Sequence, residues 1–205
     1  MDKHIIDFSA CIVSGSENLR PRVEEARQNY SPMSEEYFNG ILAKEGQKLS
    51  ESLCGFLLLD NLLVKNGIDR SGLVISRNAD GRPSVINRRD LDFSISHSEG
   101  AACCAVIIGS EVKIGCDIQR ARKYPRQKMS ELAEIFMCAR DYKEFLKTED
   151  ERLFYTIWTR REAFIKANGG DVFADMRDMN FNTDDFTTAE IYAMGERYYY
   201  SICTG

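Results

Sequence analysis

The chain has 205 residues, 43% of them hydrophobic and 29% charged, with a formal net charge of -5. That much apolar material supports a buried core, in one domain or in two similar halves. The acidic balance argues against broad nucleic-acid binding, which needs a basic face. No apolar run reaches membrane-spanning length, and Met1-Asp2-Lys3-His4 does not open a signal peptide, so a cytoplasmic protein with no membrane partner is expected. The 7 cysteines contain no C-x-x-C spacing and fall mostly in apolar segments, which reads as small core residues in a reducing compartment. With His4 and His97 the only histidines, ligand-spaced clusters for zinc are absent.

Residues 5–13 read as a first strand, followed by a polar segment around Arg20-Pro21-Arg22 and a mixed helical region to about Tyr30. Ser34 before Glu35 and Glu36 marks the start of a short helix. The clearest helix of the first half runs from Lys48 to Lys65, with Leu49, Leu53, Phe56, Leu57 and Leu63 near helical spacing and Asn66-Gly67 as its left-handed stop. A short run, Leu73 to Ser76, and the turn Asp80-Gly81-Arg82-Pro83 follow. Asp92 to Ser96 alternates as a strand that ends in the polar turn His97-Ser98-Glu99-Gly100. Ala101 to Ile108 and Val112 to Gln119 are expected to form a hairpin around Gly109-Ser110.

Arg120 to Lys128 is a basic loop. Helical segments near 129–138 and 141–147 lead to Asp150, the expected N-cap of a long helix over 151–168 that Asn168-Gly169-Gly170 ends. Glu190 to Met194 and Tyr198 to Cys203 read as a closing hairpin around Gly195-Glu196. Both halves of the chain thus show a strand, a long helix and further strands.

Several polar residues sit where chemistry is possible. On the late helix Glu162 and Lys166 lie one turn apart on one face, with Leu153, Ile157 and Phe164 on the side expected to pack. Alone, such a pair reads as a solvated ion pair worth about 0.2–0.5 kcal/mol. Asp117 interrupts an apolar strand, on the face shared by Gly115 and Gln119. It either points to solvent or serves as a magnesium ligand, since Mg²⁺ takes one or two carboxylates plus waters and phosphates. His97 between Ser96 and Ser98 is either a plain turn or a phosphate cradle of hydroxyls, imidazole and turn amides. The basic loop 120–128 is either a solvated surface or an attractor for phosphates or an acidic protein.

Four blocks occur in order: Gly81-Arg82-Pro83, Phe93-Ser94-Ile95-Ser96-His97-Ser98, Gly115-Cys116-Asp117-Ile118, and Trp158 to Ala167 containing Arg160-Arg161-Glu162-Ala163-Phe164-Ile165-Lys166. Together they resemble the signature of the 4'-phosphopantetheinyl transferases, in the larger pseudo-dimeric (Sfp-like) type. The match covers roughly residues 45–170.

The resemblance implies an α+β fold of two similar halves, about 1–98 and 99–205, each a small antiparallel sheet packed on a long helix, with coenzyme A bound between them. An internally doubled chain of this kind is expected to be a monomer. It implies transfer of the 4'-phosphopantetheine group from coenzyme A to a serine of an apo carrier protein (acyl, peptidyl or polyketide type), releasing adenosine 3',5'-bisphosphate. Asp117 and Glu162 would hold Mg²⁺ against the pyrophosphate, with Glu162 also the base for the carrier serine. Lys166 would steady the departing phosphate, Ser96 and His97 would contact the ribose phosphate, and Arg161 and Arg82 would add phosphate contacts. Two positions depart from the pattern. Gln119 stands where the family carries a second acid, leaving one amide oxygen for the metal, and Asp141 replaces the usual glutamate before the long helix. Gln119 is the feature behind an alternative, a catalytically impaired coenzyme A-binding homologue acting as a sensor or interaction module.

Overall fold

A computed structural model describes residues 4–13, 18–79, 81–169 and 183–205; Met1-Asp2-Lys3, Asp80 of the expected turn and Gly170 of the expected helix stop lie outside them. The chain divides into two compact units, Met1–Ile114 and Gly115–Gly205.

The first unit begins with β1 (Ile5–Ile12), α1 (Leu19–Ala26) and α2 (Glu35–Leu42). The long helix α3 (Gly46–Lys65) then forms where the apolar spacing places it and ends before Gly67, whose φ of 70° takes the left-handed turn. Two short strands follow, β2 (Ile75–Arg77) and β3 (Pro83–Val85), which pair with each other. The next strands, β4 (Leu91–Ser98) and β5 (Ala101–Ile108), pair antiparallel, and β1 pairs antiparallel on the other edge of β5 to give the order β1-β5-β4.

Leu53, Phe56, Leu59 and Leu63 of α3 are fully buried, and each such side chain contributes about 1.5–3 kcal/mol by leaving water. Tyr30, Tyr37, Phe38 and Phe56 pack around the same helix at edge-to-face or tilted angles. Asp60, also buried on α3, accepts from the Tyr30 hydroxyl at 3.0 Å and pairs with Arg70 at 2.5 Å, which offsets the cost of placing a carboxylate there.

Two expectations are corrected here. Ala101 to Ile108 does not pair with Val112 to Gln119, because both edges of β5 are taken by β1 and β4. The Asp90 carbonyl instead accepts from the Gly109 N–H at 2.8 Å, so Gly109-Ser110 turns the chain out of this sheet. His97 and Ser98 do not lie in a turn: they belong to β4, opposite Ala102 and Ala101, and the turn is Glu99-Gly100.

The second unit holds β6 (Ile114–Arg120) from its second residue on, α4 (Arg126–Phe136), α5 (Ala139–Thr148), α6 (Glu151–Asn168), β7 (Phe186–Ala193) and β8 (Glu196–Thr204), with strand order β6-β8-β7. The basic segment is therefore only partly loop, since α4 starts at Arg126. The Asp150 side chain accepts from the Arg152 N–H and caps α6 as expected. Phe136, Phe145, Phe154, Tyr155 and Tyr199 form this unit's apolar core. The Thr159 and Ser201 hydroxyls, both fully buried, bond each other at 2.7 Å and fix α6 to β8.

Cys103, Cys104, Cys116 and Cys203 are buried, as the reading of small core residues expects, while the sulfurs of Cys11 of β1 and Cys54 of α3 meet each other, their Cα atoms 7.7 Å apart. Among the described residues no helix is long and apolar enough to cross a membrane.

Candidate functional site

In the second unit the chemistry gathers where β6 meets α6. Successive strand residues alternate faces, so Gly115, Asp117 and Gln119 share one side of β6. That side faces α6, because a Cβ at Gly115 would collide with the Ala163 carbonyl oxygen and come within 2.8 Å of the Ala167 nitrogen. Only glycine permits so close a backbone approach. Asp117, two residues on, reaches Lys166, whose Nζ donates to Oδ1 at 2.6 Å; the side chains are 8% and 27% exposed respectively. Glu162 lies one helical turn before Lys166 and is half-buried, as is Gln119.

The electrostatics follow from that packing. Burial, then the negative charge of Asp117, pushes the Glu162 carboxyl up to about 7, only partly opposed by Lys166. Burial alone would lower the Lys166 pKa, but Asp117, Cys116 and Glu162 outweigh it and raise it. The ammonium therefore stays charged, and the cluster holds one fixed cation beside Asp117 and a Glu162 whose ionisation Asp117 disfavours.

Among the described residues no group of three or more His, Cys, Asp or Glu side chains gathers to hold a metal ion. Magnesium does not need one, since it binds through one or two carboxylates and completes its shell with waters and phosphate oxygens. Two mutually repelling carboxylates with an amide oxygen in line on the same strand face fit that demand.

Arg161 is placed differently from its neighbours. Its side chain is 1% exposed, and Nη2 lies 3.4 Å from Oδ2 of Asp141 on α5. Burial lowers its pKa, with Asp141 opposing. Asp141, whose role the sequence left open, thus supports a buried guanidinium.

In the first unit Arg82 is engaged within the structure. Its Nη2 donates to Asp92 Oδ2 at 2.7 Å and lies within 2.9 Å of the Phe93 and Ile114 carbonyl oxygens. Asp92, 1% exposed, also accepts from the Ile114 N–H. The sequence reading missed Asp92, whose signal was a carboxylate opening an apolar strand. Ser96 is buried and His97 exposed on β4, and as consecutive strand residues they point to opposite faces. His97 Nδ1 meets Oε2 of Glu51 on α3 at 3.1 Å. Glu51 was overlooked because the residue it meets, His97, is distant in sequence.

Comparison with known proteins shows which sequences this chain is similar to. The family model described as the 4'-phosphopantetheinyl transferase superfamily matches residues 113–205. The 4'-phosphopantetheinyl transferase Sfp of Bacillus subtilis (strain 168) is 28% identical over 158 residues, 73% of this chain and 66% of the relative. AcpT of Salmonella typhi, also named a 4'-phosphopantetheinyl transferase, is 32% identical over 96 residues, 45% of this chain and 48% of the relative. HetI of Nostoc sp. (strain PCC 7120 / SAG 25.82 / UTEX 2576), of the same printed activity, is 30% identical over 112 residues, 52% of this chain and 46% of the relative. The chain spans about half to two thirds of the length of these curated relatives.

Proposed function

From a chain related to the 4'-phosphopantetheinyl transferases, by the family model over residues 113–205 and by similarity to Sfp over more of its length, we propose an active transferase. It moves 4'-phosphopantetheine from coenzyme A to a serine of an apo carrier protein. The single observation that carries the reading is the Asp117–Lys166 contact at 2.6 Å beside a Glu162 whose pKa is pushed up to about 7.

Asp117 and Glu162, with the Gln119 amide oxygen, would hold Mg²⁺, which when bound supplies charge neutralisation on the pyrophosphate. Glu162 accepts the proton of the carrier serine, directly or through water. The serine oxygen bonds to the β-phosphorus of coenzyme A, the phosphoanhydride bond breaks, and adenosine 3',5'-bisphosphate leaves with the electron pair. Lys166, held cationic by its carboxylate neighbours, meets the charge that grows on the departing phosphate. His97 and Ser96 are assigned to the ribose phosphate. Arg82 and Arg161 are engaged with Asp92 and Asp141, so they are read as supports of the site in place of the phosphate contacts that the resemblance implies.

The test is to incubate the protein with coenzyme A, Mg²⁺ and apo carrier proteins of the acyl, peptidyl and polyketide types and to weigh the carriers. One added phosphopantetheine on at least one carrier is expected. Gln119 favours a second reading, a coenzyme A binder that has lost transfer, and coenzyme A binding with no mass added to any carrier would select it.

A further inference from the structure

The proposed mechanism leaves Glu51 without a task, although it is a buried carboxylate in contact with an assigned binding residue. Glu51 is 5% exposed on α3 and is approached by three donors. Oε1 accepts from Gln47 Nε2 at 2.8 Å and from the Gly100 N–H at 2.9 Å, and Oε2 faces His97 Nδ1 at 3.1 Å. The approach depends on Gly55, one helical turn further along α3, where a Cβ would come within 2.6 Å of Ile95 Cγ2. The glycine lets α3 settle onto β4, and Glu51 then meets His97, two residues past Ile95 on the same strand face.

We propose that Glu51 is a positioning residue for His97, orienting the ring so that Nε2 donates to the phosphate monoester on the ribose of coenzyme A. This rests on His97 being the contact for that phosphate. An ionised carboxylate only accepts hydrogen bonds, so the ring nitrogen facing it must carry a proton. With Nδ1 protonated, the neutral ring would offer a bare Nε2, which a phosphate repels. The imidazolium instead offers both nitrogens as donors, Nδ1 to the Glu51 carboxylate 3.1 Å away and Nε2 to a phosphate. Ordinary surface histidines lack such a partner. The Gln47 and Gly100 donors hold the carboxylate in place, so the ring is oriented before a ligand arrives. Lys44, which bonds Ser52 at 2.7 Å, also interacts with Glu51.

The experiment combines ¹⁵N-histidine NMR of the wild-type protein with calorimetric binding of coenzyme A and of dephospho-coenzyme A, which lacks the ribose phosphate. The spectrum of the wild type is expected to show His97 protonated at Nδ1. Glu51→Gln is expected to weaken coenzyme A about tenfold, the loss of one charged hydrogen bond, and to leave dephospho-coenzyme A unchanged. In a His97→Ala background, Glu51→Gln should cost nothing further. An unprotonated Nδ1 in the wild type, equal weakening of both ligands, or full coenzyme A affinity in Glu51→Gln beside a weakened His97→Ala would overturn the role of Glu51 alone. Unchanged coenzyme A affinity in His97→Ala would overturn the phosphate assignment itself and this role with it. The wild-type spectrum needs no variant, so a poorly folding Glu51→Gln still leaves a decisive reading.

Discussion

Gly115 on β6 lies against Ala163 on α6 so closely that no side chain fits between them. This one contact sets the height of the strand against the helix and so brings Asp117 to Lys166. Gly115→Ala is expected to destabilise the protein by about 1–3 kcal/mol, because the obstructing atoms are backbone and cannot rotate away. Denaturant melts check this, and a midpoint equal to wild type would show that strand and helix are not held this closely.

Removing either carboxylate should remove turnover. Glu162→Gln and Asp117→Ala are each expected to lower the transfer rate about 100-fold or more, while coenzyme A is still bound. Carrier mass spectrometry over time gives the rate. A variant with the wild-type rate would take that residue out of the site.

The raised pKa of Glu162 has a consequence for stability. In the unfolded chain a glutamate ionises near 4.3, whereas in the folded protein this one ionises near 7. Between those values the native state holds more protons than the unfolded state, so this group's contribution to stability falls as pH rises from about 4.3 to 7. Metal binding should relieve the repulsion with Asp117 that appears at the upper end. Addition of Mg²⁺ is therefore expected to raise the melting temperature more at pH 8 than at pH 6, and Asp117→Asn should lower the Glu162 midpoint seen by carboxyl ¹³C NMR. A Glu162 midpoint below 5 in the wild type would contradict the burial described for it.

Position 119 tests how far the metal site extends. Gln119 shares the strand face of Asp117, and Gln119→Glu would return a charge to that row. A lower Mg²⁺ concentration for half-maximal rate is expected. An unchanged Mg²⁺ dependence would show that residue 119 does not touch the ion.

Much of this was readable from the residues, and the reasons are specific. The apolar spacing of α3, the Asp150 cap of α6 and the Gly195-Glu196 turn of the closing hairpin each declare an element locally, and each element forms. Strand partners are not declared locally. Gly109-Ser110 looks like a hairpin turn, yet β5 pairs with β1, some ninety residues earlier in the chain, and Asp90 captures the turn amide. The same limit hid Glu51, Asp92 and the Cys11–Cys54 pair, whose partners are distant in sequence. Glu162 and Lys166, one turn apart, were visible as a pair, but the burial that raises the Glu162 pKa depends on Gly115, in another element.

The central claim is that Asp117 and Glu162 grip one divalent cation together. Calorimetric titration of Mg²⁺ into the wild-type protein with coenzyme A present, repeated on Asp117→Asn and on Glu162→Gln, measures it most directly. A single Mg²⁺ site in the wild type that either substitution weakens severely is the predicted result; Mg²⁺ bound with undiminished affinity by both variants would contradict it.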